Sequence, residues 1–112
     1  MKTNEFEIQK LTKYCNEILI LGLLKNGEKH GYQLALEIEE LSDGFFKFNH
    51  GTLYPILHKL EEEAYIKGIW PEEETKRKRK FYIITEKGKK YLESNKAGWQ
   101  KLFKYLFRIT GE

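Results

Sequence analysis

Two short runs rich in β-branched and aromatic residues restrict this chain's fold more than any other feature. One spans 65–70, with Tyr65, Ile66, Ile69 and Trp70; the other spans 80–84, with Phe81, Tyr82, Ile83 and Ile84. Between them lies a polar stretch, Pro71-Glu-Glu-Glu-Thr-Lys-Arg-Lys78. Strand formers around a polar loop read as a β-hairpin with a long tip. Almost everything else in the 112 residues is helical in period.

Residues 6–25 are expected to form a helix, because Leu11, Tyr14, Cys15, Ile18, Leu19, Gly22 and Leu23 recur at three- and four-residue steps. Asn26-Gly27 supplies a stop. A second helix is expected over 31–41, with Leu34, Ala35, Ile38 and Leu41 on one face. Phe46 and Phe48 alternate with Lys47 in a short strand-like piece. A third helix should start near Asn49 or Thr52, both competent caps, and run to Glu63 with a stripe of Leu53, Ile56, Leu57 and Leu60. Pro55 belongs to its first turn or two, since proline lacks the N–H that the helix interior uses.

Thr85 is the expected cap of a last helix that reaches about Ile109. Leu92, Asn95, Trp99, Leu102, Leu106 and Ile109 follow steps of three and four along it, a heptad seam. Tyr91, Phe103, Tyr105 and Phe107 lie off that seam. One small domain would struggle to cover both groups, so a partner is implied. The order is helix, helix, short strand, helix, hairpin, long helix. This predicts a mainly α fold with a small β-hairpin wing: a winged helix-turn-helix over 1–85 and a C-terminal dimerisation helix over 86–112. Such a fold sends its third helix into the major groove of DNA.

The net charge is only +3, but it is unevenly placed: residues 1–42 hold five lysines and seven acids, whereas residues 86–108 hold seven basic groups and two acids. Lys76-Arg77-Lys78-Arg79-Lys80 puts five cations in a row at the hairpin. Such a run is either a solvated face balanced by Glu72-Glu73-Glu74 or a phosphate contact, and its place beside a helix-turn-helix favours phosphate. No apolar run is long enough for a membrane span. The single cysteine, with no signal-like start, points to the cytoplasm. His30, His50, His58 and Cys15 lack metal-ligand spacing, and no nucleophile–base constellation appears, so neither metal, cofactor nor enzyme is expected. Trp99, next to Gly98, is either dimer core or a ligand contact.

Three segments stand out: His30-Gly31-Tyr32-Gln33-Leu34, Gly51-Thr52-Leu53-Tyr54-Pro55-Ile56-Leu57-His58-Lys59-Leu60-Glu61, and Arg79-Lys80-Phe81-Tyr82-Ile83-Ile84-Thr85-Glu86-Lys87-Gly88. Together they resemble the PadR family of bacterial transcriptional regulators. The single C-terminal helix resembles the shorter subfamily, which dimerises through its first and last helices. Some of its members line a hydrophobic pore between subunits with a central tryptophan, a position that Trp99 could match.

The expectation is therefore a homodimeric repressor of double-stranded DNA, released by a planar apolar ligand at the dimer interface. Its expected DNA contacts are His30, Tyr32, Gly51, Thr52, Tyr54, Pro55, His58, Lys59, Lys76, Arg77, Lys78 and Arg79. Its expected ligand contacts are Leu11, Cys15, Leu92, Asn95, Trp99 and Phe103. The alternative is a dimerisation module on a winged-helix scaffold that does not bind DNA.

Overall fold

The computed structural model describes residues 10–71 and 79–111. Its elements are α1 (Asn16–Leu24), β1 (Lys29–His30), α2 (Gly31–Leu41), α3 (His50–Glu62), β2 (Ile66–Ile69), β3 (Phe81–Ile84) and α4 (Glu86–Thr110). β3 is the middle strand of a three-stranded antiparallel sheet, order β1-β3-β2. Ile66 faces Ile84 and Ile69 faces Phe81 on one side of it; Lys29 faces Tyr82 and His30 faces Phe81 on the other. This is the winged helix-turn-helix with a long terminal helix that the sequence predicts.

Three details differ from expectation. The first helix does not run unbroken over 6–25. Residues 6–9 lie outside the described residues; residues 10–13 are helical, but the amides of Tyr14 and Cys15 donate to Leu11 and Thr12, three residues back, at 3.2 and 3.0 Å. These tighter bonds separate the first turn from α1. The expected apolar face of that helix is also not the one the domain buries. Ile20, Leu21 and Leu24 enter the core, while Leu11 and Tyr14 are exposed and Ile18, Leu19 and Leu23 are half-buried. α1 is apolar all round, so periodicity alone cannot choose its inner face. Finally, Phe46 and Phe48 form no strand and pack on the core from an irregular segment. The third strand is Lys29–His30, a polar pair whose extended form is set by the edge of β3.

The core joins Ile20, Leu21 and Leu24 of α1 to Leu34 and Ile38 of α2 and Leu53, Leu57 and Leu60 of α3. Ile66, Tyr82 and Leu92 close it from β2, β3 and α4. Asn49 caps α3 by accepting from the Thr52 amide at 2.9 Å. Pro55 lies inside the helix, and its missing N–H leaves the Gly51 carbonyl without the usual helical donor.

α3 ends on Ala64, whose φ of 63° is left-handed. The Tyr65 amide donates back to the Leu60 carbonyl at 2.9 Å and the Ala64 amide to that of Glu61 at 3.0 Å. This is a Schellman ending, in which glycine is usual at the left-handed position. Thr85 then starts α4 against this turn. Its side chain accepts from the Gly88 amide at 3.0 Å, and its hydroxyl donates to the Ala64 carbonyl at 2.7 Å. A Cβ on Gly88 would overlap the Tyr65 carbonyl oxygen, so the helix can seat here only without one. The first two turns of α4 belong to the domain core through Leu92, and from Gln100 onward every described residue is exposed.

Two substitutions at this junction should act in opposite directions. Gly88→Ala should destabilise the fold by about 1–3 kcal/mol through overpacking against backbone. Ala64→Gly relieves a left-handed alanine and should stabilise by about 0.5–1 kcal/mol. Thermal unfolding should show the first as a drop of roughly 4–8 °C per kcal/mol and the second as a smaller rise.

Candidate nucleic-acid interface

The two helix-turn-helix segments meet at Gly31 and Tyr54. A Cβ on Gly31 would sit 3.2 and 3.3 Å from the Tyr54 ring carbon and hydroxyl oxygen. Without it, the Tyr54 ring lies close against the start of α2 and remains partly exposed. The turn between the helices thus sets which way α3 points its outer face. Gly51, Tyr54 and His58 are exposed along that face, and Pro55 and Lys59 are exposed at its flank towards α1.

His30 does two jobs at the base of the wing. Its Nδ1 accepts from the Gln33 amide at 3.1 Å and caps α2. Nδ1 must therefore be unprotonated, which in the neutral ring leaves the proton on Nε2. The Arg79 guanidinium nitrogen lies 3.2 Å from that Nε2. Both are then donors, so they cannot bond each other, and together they offer two N–H groups to one anionic oxygen. Burial lowers the His30 pKa below its ordinary 6.5, and the Arg79 charge lowers it further. The ring also meets Phe81 edge-on at 5.8 Å. His30, just before α2, and Arg79, just before β3, are thus brought together.

Glu61, a carboxylate outside the expected site, ties α3 to the wing. It accepts from Lys80 at 2.8 Å and from the Gly68 amide at 3.3 Å. Lys80 occupies the space a Gly68 side chain would need, and it stands 5.4 Å from the Tyr82 ring centre. Its pKa is raised chiefly by the hydrogen bond to Glu61. Glu61 closes the PadR-like segment of the third helix, but nothing in the sequence marks its tie to the wing.

The expected DNA residues do not all share one face. Tyr32 is exposed at the start of α2 and Arg79 two residues before β3. His58 is exposed and 3.3 Å from Glu62, a weak surface pair. Thr52 is half-buried, and its hydroxyl donates to Asn49 at 3.0 Å. Thr52, Pro55 and Lys59 line a cleft of about 660 Å³ between α1, α3 and α4. Lys59 is held there by Glu17 at 3.1 Å. Lys76, Arg77 and Lys78 lie outside the described residues.

The expected ligand residues also divide. Cys15, Trp99 and Phe103 line one apolar groove of about 280 Å³. Asn95 and Trp99 line the larger cleft, so Trp99 stands between the two. Leu92 is instead 1% exposed in the domain core, and Leu11 is 61% exposed. Among the described residues no His, Cys, Asp or Glu grouping could hold a metal ion, and no helix is long and apolar enough to cross a membrane.

Residues 20–94 match the model of the Transcriptional regulator PadR-like family. The negative transcriptional regulator PadR of Bacillus subtilis is 37% identical over 73 residues, which cover 65% of this chain but only 40% of that protein. A transcriptional regulator from Clostridium thermocellum of known structure superposes with a TM-score of 0.82 at 30% identity, covering 88% of this chain and 96% of that one. The structure of Bacillus subtilis PadR in complex with operator DNA aligns at TM-score 0.63 and 35% identity, over 70% of this chain and 44% of that one.

The His30 cap makes stability pH-dependent with a definite sign. Folding favours the neutral ring, so the cap's full contribution is present above the ordinary pKa of 6.5 and is lost as pH falls through the lowered folded value. His30→Asn keeps an acceptor at the cap and removes the titration. Thermal melts from about pH 7 to about pH 5 should show a larger loss for the wild type than for His30→Asn.

Proposed function

The chain belongs to the PadR-like family of transcriptional regulators, and from that membership we propose that it acts as a homodimeric repressor in the cytoplasm. Each α3 enters a major groove of a pseudo-palindromic operator, with half-sites one helical turn apart or a multiple of it. The observation that carries this reading is the convergence at the N-terminal ends of α2 and α3. Gly31 admits Tyr54 there, and His30 and Arg79 present paired donors beside the exposed face of α3. Phosphate oxygens are the acceptors those donors suit, while Gly51, Tyr54 and His58 face the groove. Bacillus subtilis PadR, a relative of this chain, has been seen on operator DNA.

A dimer is the natural cover for the outer half of α4. Leu102, Phe103, Leu106, Phe107 and Ile109 are all exposed there, and the turn before α1 adds Leu11 and Tyr14. So much apolar surface on one small chain fits an interface better than solvent.

A gel shift or anisotropy titration on DNA from upstream of the gene tests the core reading. Replacing Lys76, Arg77, Lys78 and Arg79 together by glutamine should weaken binding to all sequences. The slope of log affinity against log salt should become shallower by roughly 0.9 for each phosphate no longer neutralised. A quadruple variant with wild-type affinity and slope would remove the wing from the interface.

The finer reading is release by a planar apolar ligand beside Trp99, supported by the two grooves that this indole separates. Such a ligand acts only by favouring one spacing of the two recognition helices over another. In a Trp70→Phe background, phenolic acids and planar drugs should quench the fluorescence of Trp99. Trp99→Ala should lower their affinity at least tenfold, and unchanged affinity would exclude the site.

A further inference from the structure

Glu17 is the only charged residue in α1, in a segment otherwise apolar except for Asn16. Its side chain is 20% exposed. One carboxylate oxygen accepts from the Tyr91 hydroxyl of α4 at 2.8 Å, and the other lies 3.1 Å from the Lys59 ammonium of α3. Tyr91 stacks on Tyr65 with ring centres 4.1 Å apart, which holds its hydroxyl in place. Glu17 is thus gripped on one side by a positioned phenol and on the other by a lysine whose own side chain is 60% exposed.

The pKa directions agree with this arrangement. Tyr91 is pushed up to about 12, first by the hydrogen bond to Glu17 and then by burial. Lys59 is raised, with the Glu17 hydrogen bond as the largest cause. Both donors keep their protons.

Lys59 is the only lysine or arginine in α3. With α3 in the groove as proposed above, a backbone phosphate would compete with the Glu17 carboxylate for that ammonium. We propose that Glu17 is an internal competitor for the recognition-helix cation, so that DNA must take Lys59 from a carboxylate already bound to it. Exchanging one anionic partner for another releases less free energy than pairing a solvated lysine, because the phosphate contact must first break an existing ion pair. Glu17 therefore acts as a brake on the salt-dependent part of DNA binding. This rests on the reading of α3 as the DNA-contacting helix. It differs from a purely structural role in sign: a carboxylate that only ties α1, α3 and α4 together would weaken DNA binding when removed, whereas a brake would strengthen it.

The test uses Glu17→Gln, which keeps an acceptor for Tyr91 and removes the charge. Binding is measured across a sodium chloride series on the upstream DNA and on a mixed-sequence duplex of equal length. Glu17→Gln should steepen the salt slope by up to about 0.9 per freed lysine and raise affinity up to roughly tenfold per lysine near 0.1 M salt. Adding Lys59→Met to Glu17→Gln should return the slope to wild type. Tyr91→Phe, which leaves the ion pair, should not change it. An unchanged or shallower slope for Glu17→Gln overturns the proposal, as does a double variant that keeps the steeper slope. A second readout needs no DNA. With Lys59 dimethylated and observed by carbon NMR, its pKa should fall in Glu17→Gln, and an unmoved pKa overturns the proposal while leaving the DNA reading standing. Loss of all salt-dependent binding in the wild type, with the Lys59 pKa shift present, would instead overturn the DNA reading and the brake with it, leaving only the ion pair.

Discussion

The carbonyl of Tyr65 is the point on which the directions of four elements depend. The Thr85 amide donates to it at 3.1 Å, joining the end of β3 to the start of β2. The Thr85 hydroxyl donates to the neighbouring Ala64 carbonyl at 2.7 Å, inside the turn that ends α3. The same threonine caps α4, and Gly88 comes down on the Tyr65 carbonyl because it has no Cβ. Recognition helix, wing and terminal helix therefore leave one turn at fixed mutual angles. Moving α4 as a rigid rod moves α3 with it, since a junction of backbone bonds and a missing methyl has few soft degrees of freedom. Glu61 repeats this logic at the other end of the wing through Lys80 and the Gly68 amide.

Much of this was legible in the sequence where one physical signal dominates. Leu53, Leu57 and Leu60 are buried as their spacing requires, and Asn49 and Thr85 cap the helices they precede. The hairpin strands fall within the two β-rich runs. The PadR-like segments meet in space, with Gly31 against Tyr54 and His30 beside Arg79, which no single segment could reveal. What escaped was tertiary in origin. Lys29–His30 has no strand propensity and is extended because β3 offers it an edge. Periodicity found the apolar residues of the first helix but could not say which face the domain takes. The heptad steps from Leu92 to Ile109 are real as spacing, yet Leu92 serves the core while Ile109 is 83% exposed. A regular seam can change its task along one helix.

Glu17 shows the opposite case, a residue hidden by its surroundings. Nothing in the segment Asn16–Leu24 suggests a polar role, and a lone carboxylate on an apolar helix is usually read as its solvent side. It is explained only by Lys59 and Tyr91, which are 42 and 74 positions away in the chain. The clue available from sequence was negative: an isolated charge on a helix apolar all round has no polar face to belong to, so it needs a partner from elsewhere.

These restraints narrow how a signal could travel from α4 to α3. The Thr85 seat couples α3 to α4, so in the proposed dimer a change in how the two α4 helices pack would alter the separation of the two α3 helices without deforming either domain. Any ligand using that route must bind two packings with different affinity, since equal affinity shifts no population. Glu17 offers a second, local route that needs no change in packing. A polar group entering the cleft beside Trp99 would meet Glu17, Lys59 and Tyr91 together. An anionic group there would compete for Lys59, as proposed for a DNA phosphate, and a cationic one would draw Glu17 away from it. The two routes therefore predict different ligand chemistry: shape and apolar area for the packing route, and the sign of one charge for the local route.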